Sequence, residues 1–205
     1  MANKRIELLS SLLKGYDCVL DIGTDHGLVL KQAIDKGYIK KAIASDIGEK
    51  PLLQAKKNLI DYPVEFVLSN GFSNIKNSYD IAVIAGMGVY TIIDILKQPH
   101  EKKTYLLQAN DKYHILRKFL NENGYKITDE YMIFDKFYYV ILKVELGIQK
   151  LTKEDLYVGP ILKTKLERKA YYHYQINRIN HLLEKADEKT VIKYNEILSF
   201  YQKYI

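Results

Sequence analysis

Seven residues near the start of the chain, Asp21-Ile22-Gly23-Thr24-Asp25-His26-Gly27, hold its densest concentration of side chains able to do chemistry. They follow the apolar run Cys18-Val19-Leu20 and precede a stretch of helical period, so they read as a strand-to-helix turn. Glycines at such a turn let the backbone approach a ligand at a helix N-terminus, where free amide hydrogens and the positive end of the helix dipole face it. Asp46 closes the next apolar run. It stands about 20 residues beyond the glycine turn, where an acid accepts hydrogen bonds from ribose hydroxyls.

A dinucleotide fingerprint would place glycine at position 25, against the pyrophosphate. Asp25 puts a negative charge there instead. A carboxylate repels a pyrophosphate but suits a sulfonium nucleoside, which has a positive centre and no phosphate. On electrostatic grounds the turn therefore predicts S-adenosylmethionine as cofactor and S-adenosylhomocysteine as product. The plainer alternative is an aspartate that caps a helix in an ordinary turn.

Around this turn, short apolar runs ending in Gly or Asp alternate with helical stretches, the pattern of a parallel sheet flanked by helices. An amphipathic helix is predicted over 4–14, with Ile6, Leu9 and Leu13 on one face. Strands are predicted near 16–22, 42–45, 65–68, 80–85 and 105–108. Between them fall helices from about residue 26 to before Gly37, from Pro51 as first helical residue to Ile60, over 89–97, and over 111–123, the last stopped by Gly124. The β-rich stretches 126–131 and 137–145, separated by a short turn, predict an antiparallel edge. The fold class is thus α/β, a doubly wound and mostly parallel seven-stranded sheet.

Beyond Leu146-Gly147 the texture changes: after Pro160 no Gly or Pro recurs, which predicts helix to the C-terminus with a break near 187–190. Tyr172, Ile176, Ile179, Leu183 and Ala186 share one seam, as in a helical hairpin or short coiled coil. Two parts are expected, a donor-binding domain over 1–148 and a helical domain over 149–205. Residues 1–148 hold 20 Lys/Arg against 18 Asp/Glu and residues 149–205 hold 11 against 7, so the shorter part carries most of the net charge of +6. That excess suits an anionic partner. Only four of the cations are arginine, which favours charge attraction over bidentate readout.

The N-terminus lacks the charged start, apolar run and cleavage site of a secretion signal, and no run approaches the roughly 20 apolar residues of a membrane span. A soluble, cytoplasmic protein is expected. Cys18, the only cysteine, reads as a core thiol, and the five histidines are scattered, so no metal is expected.

Taken in order, Asp21 to Gly27, Ser69-Asn70-Gly71, Ile84-Ala85-Gly86-Met87-Gly88, Leu106-Leu107-Gln108-Ala109-Asn110 and Leu116-Arg117 resemble the bacterial TrmK family, the tRNA adenine-22 N1-methyltransferases. The resemblance covers essentially the whole chain. It implies a Rossmann-like class I methyltransferase domain with a C-terminal α-helical hairpin, acting on an adenine in the D-loop of tRNA; a monomer is expected. Carried onto matching positions, it implies a donor site of Asp21, Gly23, Thr24, Asp25, Asp46, Ile47, Asn70, Gly71, Ala85 and Gly86. Catalytic roles fall to Asp25, Met87 and His26. Asp25 would stabilise the positive charge that moves onto the base. His26 would contact the base or the donor carboxylate, or orient the turn; Met87 would line the floor between donor and base, or simply pack between glycines.

Substrate contacts are expected from Gly88, Gln108 and Asn110, from Arg117 unless it anchors its helix by an ion pair, and from Lys163, Lys165, Arg168, Lys169 and Arg178 on the hairpin, with Tyr171 and Tyr174 available for stacking. The chain departs from the family at Leu28, where an aromatic residue is common, at Asn70, where an acid is common, and at Ala109, where the family has proline. Two rival classes remain at this level: a methyltransferase acting on a small molecule or protein, and a non-catalytic RNA-binding module that retains the fold.

Overall fold

The central strands are buried on both faces because helices cover both sides of the sheet, and alternate residues along each strand feed one of two apolar layers. Along β1 (Cys18–Ile22), Leu20 and Ile22 enter one layer and Val19 the other; in β4 (Ile81–Met87), Ala82 and Ile84 oppose Ile81 and Val83. The computed structural model describes residues 3–205; Met1 and Ala2, the beginning of the segment read for a secretion signal, lie outside the described residues.

In chain order the elements are α1 (Lys4–Ser11), β1, α2 (Leu28–Asp35), β2 (Lys41–Asp46), α3 (Glu49–Asn58), β3 (Val64–Leu68), β4, α4 (Val89–Lys97), β5 (Thr104–Ala109), α5 (Tyr113–Glu122), β6 (Tyr125–Asp135) and β7 (Phe137–Leu146). Then follow α6 (Lys153–Val158), a 3₁₀ turn (Leu162–Thr164), α7 (Arg168–Leu183) and α8 (Glu188–Gln202). The strand order is β3-β2-β1-β4-β5-β7-β6, with only the β5–β7 and β6–β7 pairs antiparallel. The order reverses at β1, so the crevice beyond the carboxyl ends of β1, β2 and β4 is where such a sheet binds ligands. Asp21 lies opposite Ala44 and Val83, and Asp46 opposite Leu68, so both acids stand at that edge.

Three sequence expectations need correction. Pro51 is the third residue of α3, because Gly48 supplies the cap and Glu49 begins the helix. The C-terminal helical part does not begin after Pro160: α6 precedes it, opened by a capping box in which Thr152 and Asp155 bond each other's backbone N–H. Six residues are under two turns, too few to show a period. The break between the long helices falls at 184–187, where the Asp187 carboxylate accepts from Thr190 N and opens α8.

The seam on α7 buries Tyr172, Ile176 and Ile179 with Ile197 and Tyr201 of α8 in the same apolar layer as Leu107, Leu116, Tyr125 and Val140 of the sheet domain. Cys18 is buried in this layer too, and burial pushes its thiol pKa up. No helix among the described residues is long and apolar enough to cross a membrane.

Candidate active site

The turn after β1 is built by backbone bonds to the end of β2. Gly23 N and Thr24 N both donate to Ser45 O, at 2.8 and 3.0 Å, and Gly27 N returns to Thr24 O at 2.8 Å. Gly27 has φ +70°, and a Cβ there would stand 2.5 Å from Leu59 Cδ1 of the neighbouring chain segment, so only glycine lets α2 start so close.

Asp21 is buried beneath the turn, its Oδ2 accepting the Thr24 hydroxyl at 2.9 Å. Loss of solvent raises its pKa to about 6; the Thr24 bond works against that rise and the charge of Asp46 adds to it. Asp46 ties two loops together: Oδ1 accepts Gly48 N at 2.9 Å and Oδ2 accepts Asp25 N at 3.3 Å. Asp25 itself has φ +49°, unusual for a side-chain-bearing residue, and its carboxylate is exposed with His26 Nε2 3.6 Å away. Ile47, beside Asp46, is 71% exposed, an apolar side chain left at the mouth of the crevice.

Asn70 is exposed on the next loop, which Ser69 holds by donating to Gly71 O and accepting Asn74 N. Gln98, following α4, reaches under that loop: its Oε1 accepts Phe72 N at 2.8 Å and fills the space where Gly71 would carry a Cβ. Opposite, β4 bulges between Ala85 and Met87, with Gly86 at φ +76°. Met87 then packs beneath the turn, its methyl 2.0 Å from where a Cβ on Gly23 would be. Asn110 braces this floor, donating its backbone N–H to Met87 O and its side-chain amide to Gly86 O. The structure thus gathers Asp21, Gly23, Thr24, Asp25, His26, Asp46, Ile47, Ala85, Gly86, Met87, Gly88 and Asn110 around one crevice, with Asn70 and Gly71 on the neighbouring loop.

Other expected contacts are placed elsewhere. Gln108 is 0% exposed; its amide donates to Ala109 O and its Oε1 accepts Arg5, so it braces the rim from within instead of forming it. Arg117 is buried as well. It bonds Glu130 at 2.8 Å and the carbonyls of Leu156 and Tyr157 at the end of α6, which settles it as an anchor and removes it from any RNA surface. Lys163 and Lys165 stand ahead of the hairpin, in and just after the 3₁₀ turn, where Lys163 pairs with Asp155 and Lys165 with Asp129 and the Glu130 carbonyl; Arg168, at the start of α7, donates to the carbonyls of Tyr204 and Lys165. Tyr171 is buried and cannot stack on a base. Lys169, Tyr174 and Arg178 remain exposed.

One residue escaped sequence reading. Arg5 of α1 crosses to the mouth of the crevice, where Nη1 donates to Gln108 at 3.1 Å, the guanidinium lies 5.1 Å from the Tyr139 ring centre, and Nη1 sits 3.2 Å from the Cβ position of Gly86. The available signal was its rarity as one of four arginines, set on the polar side of an amphipathic helix.

The strand order with its antiparallel last pair, and an acidic glycine turn at the topological switch point, define a methyltransferase of Rossmann-like fold that depends on S-adenosylmethionine. The profile of the TrmK family, tRNA (adenine(22)-N(1))-methyltransferase, matches residues 19–203, and the chain belongs to that family. A Mycoplasma pneumoniae relative named for tRNA methylation is 33% identical over 151 residues, 69% of this chain and 71% of that one. The tRNA (adenine(22)-N(1))-methyltransferase of Bacillus subtilis is 28% identical over 155 residues, 71% of this chain and 65% of that one. A Streptococcus pneumoniae protein solved in complex with S-adenosyl-L-methionine superposes with a TM-score of 0.87 at 26% identity, covering 100% of this chain and 99% of that one.

Proposed function

We propose that this chain transfers a methyl group from S-adenosylmethionine to N1 of an adenine in tRNA, adenine 22 of the D-loop. The observation that carries the proposal is the meeting of three carboxylates, Asp21, Asp25 and Asp46, at the ends of β1 and β2, on a turn packed against the Gly86-Met87-Gly88 floor. Such a site is hostile to a pyrophosphate and suited to a cationic nucleoside.

The residues present fit that cofactor. Asp46 is held by two backbone N–H groups with lone pairs to spare for ribose hydroxyls, while Ile47 and Asn70 offer an apolar and a polar contact for an adenine ring. When bound, S-adenosylmethionine supplies an electrophilic methyl group. Asp25, exposed on the turn, stabilises the positive charge that builds on the target adenine, by electrostatics or by accepting a hydrogen bond from its amine. His26 stands close enough to orient that carboxylate. Met87 and the two glycines beside it bring the floor close to the base, and alignment of donor and acceptor supplies much of the remaining acceleration. Gly88, Asn110 and Arg5 form the rim, with Lys169 and Arg178 attracting phosphate.

In this reading residues 1–148 hold the donor and residues 149–205 contact tRNA, in a monomeric, cytoplasmic enzyme. Incubation with labelled donor and an unmodified tRNA transcript, followed by nucleotide mapping, should give one N1-methyladenine in the D-loop. Label entering protein or a small molecule, with tRNA unlabelled, would favour another methyltransferase. No heat of donor binding in calorimetry would favour a non-catalytic module.

A further inference from the structure

A cavity of about 730 Å³ lies away from the glycine turn, none of whose residues line it. Its walls are the segment after β5, the β6–β7 turn and the inner faces of α7 and α8. Asn110, whose side-chain amide donates to Gly86 O, is one of its lining residues, so the cavity borders the Gly86-Met87-Gly88 floor. Its volume falls within the roughly 300–1,000 Å³ of built ligand sites.

The lining has two components. One is aromatic: Tyr138 from the strand turn and Tyr174 from α7 stand with ring centres 5.0 Å apart, and His114 lies flat on Tyr157 at 4.8 Å. The other is cationic: Lys112, Arg178 and Lys193 line the walls, with Asp111 the only acid among the lining residues. The Arg178 guanidinium lies 5.6 Å from the Tyr174 ring centre, so charge and ring form one surface. Aromatic faces interleaved with cations are what an unstacked nucleotide requires, since each base has a π face and each phosphate a charge. A purely apolar protein segment would offer the three cations no anion.

We propose that this cleft holds a second unpaired tRNA nucleotide beside the target adenine, its base against Tyr138 and Tyr174 and its phosphate toward Lys112, Arg178 and Lys193. The proposal rests on the reading of the protein as a tRNA methyltransferase and adds the site that fixes the neighbouring nucleotide. It also moves RNA recognition from the 3₁₀ turn and the start of α7, where Lys163, Lys165 and Arg168 are already engaged, to the faces of α7 and α8 that line the cleft.

The test uses the full chain and tRNA carrying the photoreactive base 4-thiouridine at positions flanking the target. Irradiation and mass spectrometry should place cross-links on Tyr138, Tyr174 or Tyr194, the last a lining residue on α8; cross-links confined to residues outside the cleft would overturn the proposal. In parallel, Tyr174→Ala should lower kcat/KM for tRNA about ten-fold or more, with Tyr174→Phe close to wild type and donor affinity unchanged. If Tyr174→Ala fails to bind donor and so proves misfolded, Arg178→Glu on the exposed surface takes its place with the same expected loss. Wild-type kcat/KM in these variants would refute the proposal. So would a concentration-dependent dimer that Tyr174→Ala dissolves without change in tRNA affinity, since the cleft would then belong to a second copy. Cross-linking needs no turnover, so an unlabelled tRNA in the methylation assay would overturn the reaction alone and leave the cleft to be judged by its cross-links.

Discussion

Arg117 and Glu130 join the sheet domain to the C-terminal helices, and cutting that pair has a calculable cost. Both side chains are at most 1% exposed. Glu130 Oε1 accepts Arg117 Nε at 2.8 Å, and Oε2 accepts Ile161 N and Leu162 N at 2.9 and 2.7 Å. Arg117 Nη1 donates to the carbonyls of Leu156 and Tyr157, two acceptors that the end of α6 leaves open. Desolvation, the largest single effect, pulls the Arg117 pKa down, but the Glu130 carboxylate together with the Tyr171 and Tyr201 hydroxyls outweighs it and the net shift is upward, so the guanidinium stays charged. Arg117→Met would leave a buried carboxylate without its cation, at a cost of about 3–5 kcal/mol. That is a large share of the roughly 5–15 kcal/mol that holds a domain together. Glu130→Leu strands the guanidinium and should cost a similar amount. The double variant Arg117→Met with Glu130→Leu strands no charge, so its loss should fall short of the sum of the singles by about 2 kcal/mol or more. Urea unfolding followed by circular dichroism measures all three. A loss under about 1 kcal/mol for Arg117→Met, or simple additivity across the cycle, would refute a buried ionic clasp.

Three further outcomes are expected. The Asp21 pKa of about 6 lies above its ordinary 3.8, so the folded chain binds that proton more tightly than the unfolded one. The ionised carboxylate therefore destabilises the donor-free fold, with no penalty below about pH 4 and the full penalty above about pH 6; melting of wild type should fall across that window relative to Asp21→Asn. A cationic donor favours the ionised form, so calorimetric affinity for S-adenosylmethionine should drop about ten-fold from about pH 7 to about pH 5, and less for the neutral S-adenosylhomocysteine; equal slopes would remove Asp21 from contact with the charge. Gly23→Ala, at φ +76° and against the Met87 methyl, should cost about 1–3 kcal/mol in melting experiments and weaken donor binding, and unchanged donor affinity would make the close packing incidental. Asp25→Ala should lower turnover by about 10²-fold or more while leaving RNA affinity nearly intact, and wild-type turnover would exclude its electrostatic role.

Much of this architecture was legible because burial leaves apolar runs with sharp ends. The runs closing at Asp21 and Asp46 predicted the two strands whose ends carry the site, and the helix over 89–97 has the observed limits of α4. What stayed hidden depends on partners distant in sequence. Gln108 follows an apolar strand and so reads as a rim, yet its neighbour is Arg5, 103 residues away. Arg117 looks like a surface cation on a helix until β6 brings Glu130 beneath it. Lys163 and Lys165 show the same limit: a lysine on a predicted helix reads as solvated, whereas Asp155 and Asp129 hold these two. The cleft beside the Gly86-Met87-Gly88 floor exists only because α7 and α8 fold back toward the β6–β7 turn, and no periodicity in either helix reports that.

Asp25 is where backbone physics and ligand chemistry pull in opposite directions. Its left-handed conformation is one that glycine would adopt at no steric cost, and glycine is what a pyrophosphate-binding bend prefers at that place. In the proposed function, a carboxylate is kept there against conformational preference by the charge it would face. On the proposed mechanism, a sister sequence that has given up methyl transfer loses the reason to retain the acid and drifts toward glycine or asparagine. This one position would then sort working copies of the fold from retired ones.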